Sequence, residues 1–316
     1  RRPTRSTLFP YTTLFRSLFE VLISFKDFKG NNPVITAVTI VANPMFEKIV
    51  ESDYSEYFFE PFINTLERYP NHDRVYDLYK KGFESRIFIP QLHGREHLNI
   101  PLWLKFLKYN NPKVIESFKN EFWFLNNYYL DKQAHNRLDA AFNLSDLSEI
   151  KKQKSIINQS AILFKELFNY NANYFTPPSQ TYHQSLEKTL IENGINIIDV
   201  PLIHKMPLGN GKYTTRLHYL GQRNQFKQIY LTRNVVFEPN ISDNDDGVNV
   251  CLKGIETAFK YRRPAIISNH RVAFVGGIEP QNRDKGLKSL KRLMSSILKK
   301  WPDSEFMSVV DLPFLN

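Results

Sequence analysis

Short apolar runs rich in β-branched and aromatic residues recur along this chain, and stretches of helical periodicity separate them. NPVITAVTIVANP (Asn32–Pro44), RIFIPQL (Arg86–Leu92), NANYFTPP (Asn171–Pro178), NIIDV (Asn196–Val200), PAIISNH (Pro264–His270) and EFMSVV (Glu305–Val310) read as strands. Between them, helices are predicted over Leu18–Phe28, Phe58–Arg68, Asp73–Phe83, Pro101–Tyr109, Pro112–Asn126, Leu147–Phe168, His183–Asn193, from an Asp246 cap to Tyr261, and in a last stretch ending at Trp301. Gly30 and Gly194 sit where helices should stop. His218–Glu238 reads as an antiparallel excursion turning near Asn224. Strands alternating with helices predict an α/β fold with a parallel sheet, covered on both faces or closed into a barrel. In a barrel, the residues at the carboxyl ends of the strands, here Asn43, His93, Thr176 and His270, form the active rim.

The stretch TLFPYTTLFRS (Thr7–Ser17) is a near-repeat that back-translates into a common short-read sequencing adapter. Residues 1–17 are therefore set aside, and the natural sequence before Leu18 is expected to be missing. The remainder, 18–316, suits a single large domain. Arg1, Arg2, Arg5 and Arg16, with no acid among 1–17, account for four of the formal +10 charges, leaving +6. The basic run Lys285–Lys300 lies opposite Leu287, Leu290, Met294 and Ile297 on an amphipathic helix, so it reads as a solvated face and not a nucleic-acid surface. A single cysteine, Cys251, excludes an intrachain disulfide and a cysteine-rich zinc site. No apolar run approaches the length of a membrane span. Compartment and oligomeric state have no signature here.

The strongest local signal is His93-Gly94-Arg95-Glu96-His97, directly after the second strand. Two histidines four apart share one side if the second lies on a first helical turn, close enough to share a metal through neutral imidazoles. The same residues satisfy H-x-x-E-H, the inverzincin pattern in which the glutamate is general base, although Gly94 and the preceding strand depart from that motif's established helix. His270 and Arg271 emerge together from the end of PAIISNH, where a histidine can act as general acid. His72, His135, His183, His204 and His218 lack partners at ligand spacing and read as surface or packing residues. Trp103 and Trp123 are the first candidates for stacking on a sugar.

The order strand, HGREH, helix, then FTPP before YHQSLEKTLIENGINII, then IISNHR, a last helix and FMSVV resembles the polysaccharide deacetylases with the NodB homology domain, over Leu18–Leu312. The resemblance implies a distorted (β/α) barrel whose N-terminal strand is missing here. It also implies one divalent metal, usually zinc, on an Asp-His-His triad and an acetylated glycan as substrate. His93 and His97 match the family's metal ligands and His270 its general acid, with Arg271 and Trp103 assigned to substrate. Two departures stand out. Thr176-Pro177-Pro178 lacks the family's arginine, and no Asp-Asp pair lies between Leu18 and His93. Asp245-Asp246 is the one adjacent pair and reads as a helix cap, so the catalytic pair is expected upstream of Leu18. The activity implied is removal of acetyl groups by a metal-dependent hydrolase. The rivals are an inverzincin-like metallopeptidase and a non-catalytic glycan-binding relative.

Overall fold

A computed structural model of the chain describes residues 11–68, 74–125, 137–239, 246–275 and 280–312. His72, His135 and Asp245 lie outside the described residues. Helix α1 (Tyr11–Ile23) leads to strand β1 (Ile35–Thr39), then β2 (Ala42–Pro44), α2 (Phe46–Glu51), β3 (Phe59–Pro61), α3 (Phe62–Glu67), α4 (Val75–Glu84) and β4 (Phe88–Leu92). Next come α5 (Ile100–Lys108), α6 (Pro112–Lys119), α7 (Ile150–Phe168), β5 (Tyr174–Phe175), α8 (Glu187–Glu192), β6 (Ile197–Asp199), β7 (Ile203–Gly209) and β8 (Lys212–Leu217). The chain continues through β9 (Ile229–Leu231), β10 (Val235–Val236), α9 (Gly247–Lys260), β11 (Ile267–Ser268), α10 (Val272–Val275) and α11 (Pro280–Lys300).

The fold is α/β, built on a five-stranded sheet of order β1-β4-β5-β6-β9. Residue partners advance together from β4 to β5, β5 to β6 and β6 to β9, so these pairs are parallel. At the β1 edge, Ile35 N donates to Ile87 O and His93 N to Thr39 O, each at 2.9 Å, and the register again advances in parallel. Every residue of β4, β5, β6 and β9 is buried, which is why these strands read as continuous apolar runs.

Several elements differ from the sequence reading. The Asn32–Pro44 run is two strands: after Thr39 the chain leaves the sheet, the amides of Val41 and Ala42 both donate to Arg95 O (3.2 and 2.9 Å), and β2 pairs antiparallel with β3. A further hairpin lies earlier in the chain, at β7–β8, around a turn with Gly209, Asn210 and Gly211 all at positive φ. A Cβ on Gly209 would lie 3.1 Å from Ser145 O, so both space and φ require glycine there. The antiparallel turn at Asn224 is present as expected: its Oδ1 accepts from the amides of Phe226 and Gln228, Arg223 bridges Ile229, and Gly221 N donates to Tyr230 O (3.0 Å) and Tyr230 N to Gln222 O (2.8 Å), while the strand after it also joins the central parallel sheet. PAIISNH contributes only Ile267 and Ser268 to a half-buried two-residue pairing with β10. EFMSVV is not a strand. Phe306 N is satisfied by Asp27 Oδ2 and Val309 N by Thr36 Oγ1, side-chain bonds that take the place of a ladder.

Two compact units divide the chain: the described parts of 1–37, 66–90 and 233–316, and those of 38–65 and 91–232. Each has its own hydrophobic core. In the first, α11 turns Leu290, Leu293, Met294 and Ile297 inward beside Val248, Cys251 and Ile255 of α9, as the amphipathic reading of that helix predicts. Helix α1 begins inside the stretch set aside on codon grounds, and Phe15 packs on Tyr79 and Phe88 with ring centroids 5.8 Å away. Asp246 caps α9 through the Val248 amide, as expected. Burial pushes the Cys251 thiol up to about 12, so it is an inert core residue. The second core gathers Leu92, Trp103, Phe164, Phe175, Leu186 and Ile198.

Candidate functional site

The loop that follows β4 carries HGREH and is built from the sheet outward. His93 is held at the carboxyl end of β4 between its two neighbours: its amide donates to Thr39 O, and the Thr176 amide donates to Leu92 O at 3.0 Å. Its ring is fixed by Nδ1, 2.6 Å from Thr176 O. A carbonyl oxygen only accepts, so Nδ1 carries the proton and the neutral ring has its lone pair on Nε2. Gly94 then turns the chain at φ +99, with the Phe142 ring 3.3 Å from where a Cβ would stand. The α5 helix begins only at Ile100, capped by Asn99 Oδ1 on the Leu102 amide. His97 is therefore a loop residue and not one on a first helical turn. The loop conformation brings the two imidazoles together, with ring centroids 4.9 Å apart and planes at 70°.

Arg95 and Glu96 point the other way, into the unit. Both are almost wholly buried, at 5% and 3% exposure. Arg95 Nε donates to Glu96 Oε1 at 2.5 Å, its guanidinium lies 4.0 Å from the Phe59 ring centre, and its Nη1 donates to Gln159 Oε1. Burial raises the Glu96 carboxyl above its ordinary value, and the Arg95 guanidinium opposes that rise. Glu96 thus anchors the loop from inside, with its charge committed to Arg95.

The candidate sugar-stacking residues separate. Trp103 is fully enclosed, edge-on to Phe46 at 5.9 Å and 5.4 Å from Phe118, with no face open to a sugar; the apolar face of α5 draws it into the core. Its assignment to substrate is corrected accordingly. Trp123 is half-buried, nearly parallel to His97 (18°, centroids 6.4 Å), and flanked by exposed Phe122 and Phe124.

His270 and Arg271 belong to the first unit, whereas His93 and His97 belong to the second. The His270 side chain is 80% exposed, and its Nδ1 is paired with Glu238 Oε1. Sequence reading missed Glu238; it stands just beyond β10, the strand that pairs with β11. Arg271 is exposed beside it. Among the described residues, no third His, Cys, Asp or Glu joins His93 and His97 in a metal-holding group. Also among the described residues, no helix is long and apolar enough to cross a membrane. No family model matches the chain, and comparison with curated proteins gives no match.

Proposed function

We propose that the parallel sheet is part of a distorted (β/α) barrel and that the protein is a metal-dependent deacetylase acting on an acetylated glycan. The observation that carries this reading is the pair of imidazoles at the carboxyl end of a central parallel strand, where α/β folds place their chemistry. The Nδ1 contact of His93 with a backbone carbonyl is the outer-shell arrangement that metal-ligating histidines use. His93 and His97 fit two nitrogen positions of a zinc-class site. The third position, an aspartate in the resembling family, has no counterpart among the described residues. When bound, such an ion supplies Lewis-acid polarisation of an acetyl carbonyl.

In this reading Trp123 offers its face to a sugar beside His97. The peptidase reading has less support, because HGREH is not helical and Glu96 is bound to Arg95. The test is acetate release from acetylated chitooligosaccharide and acetylated xylan by the full chain. Acetate release that falls to background in His93→Ala/His97→Ala is the expected result. Glycan binding without acetate release, unchanged in that variant, would establish the non-catalytic relative instead.

A further inference from the structure

The β7–β8 hairpin holds a second pair of histidines that the chain's spacing conceals. His204 pairs across the hairpin with Arg216, and His218 N donates to Leu202 O at 3.0 Å. Residues 204 and 218 thus fall on the same face of the ribbon. Both rings are buried, at 2% and 6% exposure, with centroids 5.7 Å apart, and the Nε2 atoms of both are enclosed without a hydrogen-bond partner. On the opposite side each ring is anchored to an oxygen: His204 to the backbone carbonyl of Tyr182, and His218 Nδ1 to Gln222 Oε1 at 3.3 Å. Since Nε2 of His204 has no partner, its bond to Tyr182 is made by Nδ1, and both neutral rings carry their lone pairs on Nε2.

Two buried acceptors without donors cost about 1–3 kcal/mol each, a cost that an ion taking both lone pairs would relieve. With Zn–N about 2.1 Å and a ring centre about 1.1 Å behind the nitrogen, two imidazoles on one ion have centroids from about 5.2 Å (tetrahedral) to about 6.4 Å (opposed). The observed 5.7 Å falls within that range. Charge is balanced nearby. Tyr182, stacked on His204, and Tyr230, 4.2 Å from His218, both donate to the buried carboxylate of Glu187 (3.1 and 2.6 Å). Arg216, exposed on its solvent side, still acts on both rings and on the Glu187 carboxylate. Strand β8 is exposed along nearly all its length, so opening of the hairpin gives an ion a way in.

We propose that His204 and His218 bind a borderline divalent cation of the zinc class. Imidazole nitrogens without hard oxygen ligands favour such ions over calcium or magnesium. The test is equilibrium dialysis against Zn²⁺ of the full chain carrying His93→Ala/His97→Ala, which silences the other pair whatever that pair does. One bound equivalent is expected, with affinity falling at least tenfold on adding His204→Gln or His218→Gln. No binding by the parent, or binding unchanged in both added variants, would overturn the proposal and leave a buried water as the partner. If either added variant misfolds, the ¹⁵N-histidine spectrum of the parent decides. Zinc should shift two Nε2 resonances together at one equivalent, and an unshifted spectrum refutes the site.

Discussion

Replacing Glu96 by Gln separates its two readings, because one assigns the residue to chemistry and the other to the interior. Arg95 and Glu96 are both buried, and the amide of Gln cannot neutralise the Arg95 guanidinium that remains against Phe59 and Gln159. Breaking one partner of a buried pair costs about 3–5 kcal/mol, whereas an exposed pair such as Lys188–Glu192 is worth about 0–1 kcal/mol. With a urea slope of about 2 kcal/mol/M, the buried loss lowers the midpoint by about 2 M, while Glu192→Gln stays near wild type. Tryptophan fluorescence reads it cleanly in a Trp301→Phe background, where Trp103 and Trp123 remain and both lie in the second unit. The double change Arg95→Met/Glu96→Leu should destabilise less than Glu96→Gln alone, since it removes both charges together. A Glu96→Gln stability within about 0.5 kcal/mol of wild type, a midpoint shift of about 0.25 M, would refute the anchoring role. Loss of peptidase activity alongside that unchanged midpoint would favour the inverzincin reading.

With chelator present, stability should fall as the solution is acidified from about pH 6.5 to about pH 4. Burial, then the neighbouring His218, depress His204 to about 4, so the unfolded chain binds a proton first throughout that window. The gap corresponds to about 3 kcal/mol, and urea midpoints of His204→Phe, compared with wild type across the window, should lack that part of the slope. Gly286→Ala should lower the thermal midpoint of the first unit, because the added Cβ would lie 1.8 Å from Ala273 O. Helix propensity returns only about 1 kcal/mol, against overpacking of about 3 kcal/mol with backbone on one side, and an unchanged midpoint would show that α11 moves freely. Trp103→Ala should cost about 3–5 kcal/mol as a core truncation. Trp123→Ala should instead weaken glycan binding with a stability change below about 1 kcal/mol; equal stability losses would show that both are packing residues.

The chain's alternation of buried strands and amphipathic helices was legible because each element declares itself within a few residues. β4 is apolar throughout, Asp246 stands at a cap, and α11 repeats its apolar residues every three to four positions. The adjacency of His93 and His97 was also foreseeable, though its cause differs: a glycine turn and a contact with Thr176 O bring the rings together, and no helix takes part. Other features were decided in three dimensions. A second hairpin, at Ile203–Leu217, precedes the expected turn at Asn224, and β9 lies in the parallel sheet because β6 offered that strand an edge with matching register. Trp103 went inside on the core face of α5, whereas Trp123 stayed half-buried in the irregular chain beyond the end of α6, although both are tryptophans within aromatic stretches. The pairing of His204 with His218 is the clearest case. Fourteen positions of chain separate them, and only the hydrogen-bonded register of a hairpin can convert that distance into contact. Local pattern reflects short-range backbone preference and hydrophobic period, whereas long-range pairing depends on which surfaces remain to be buried once the elements exist.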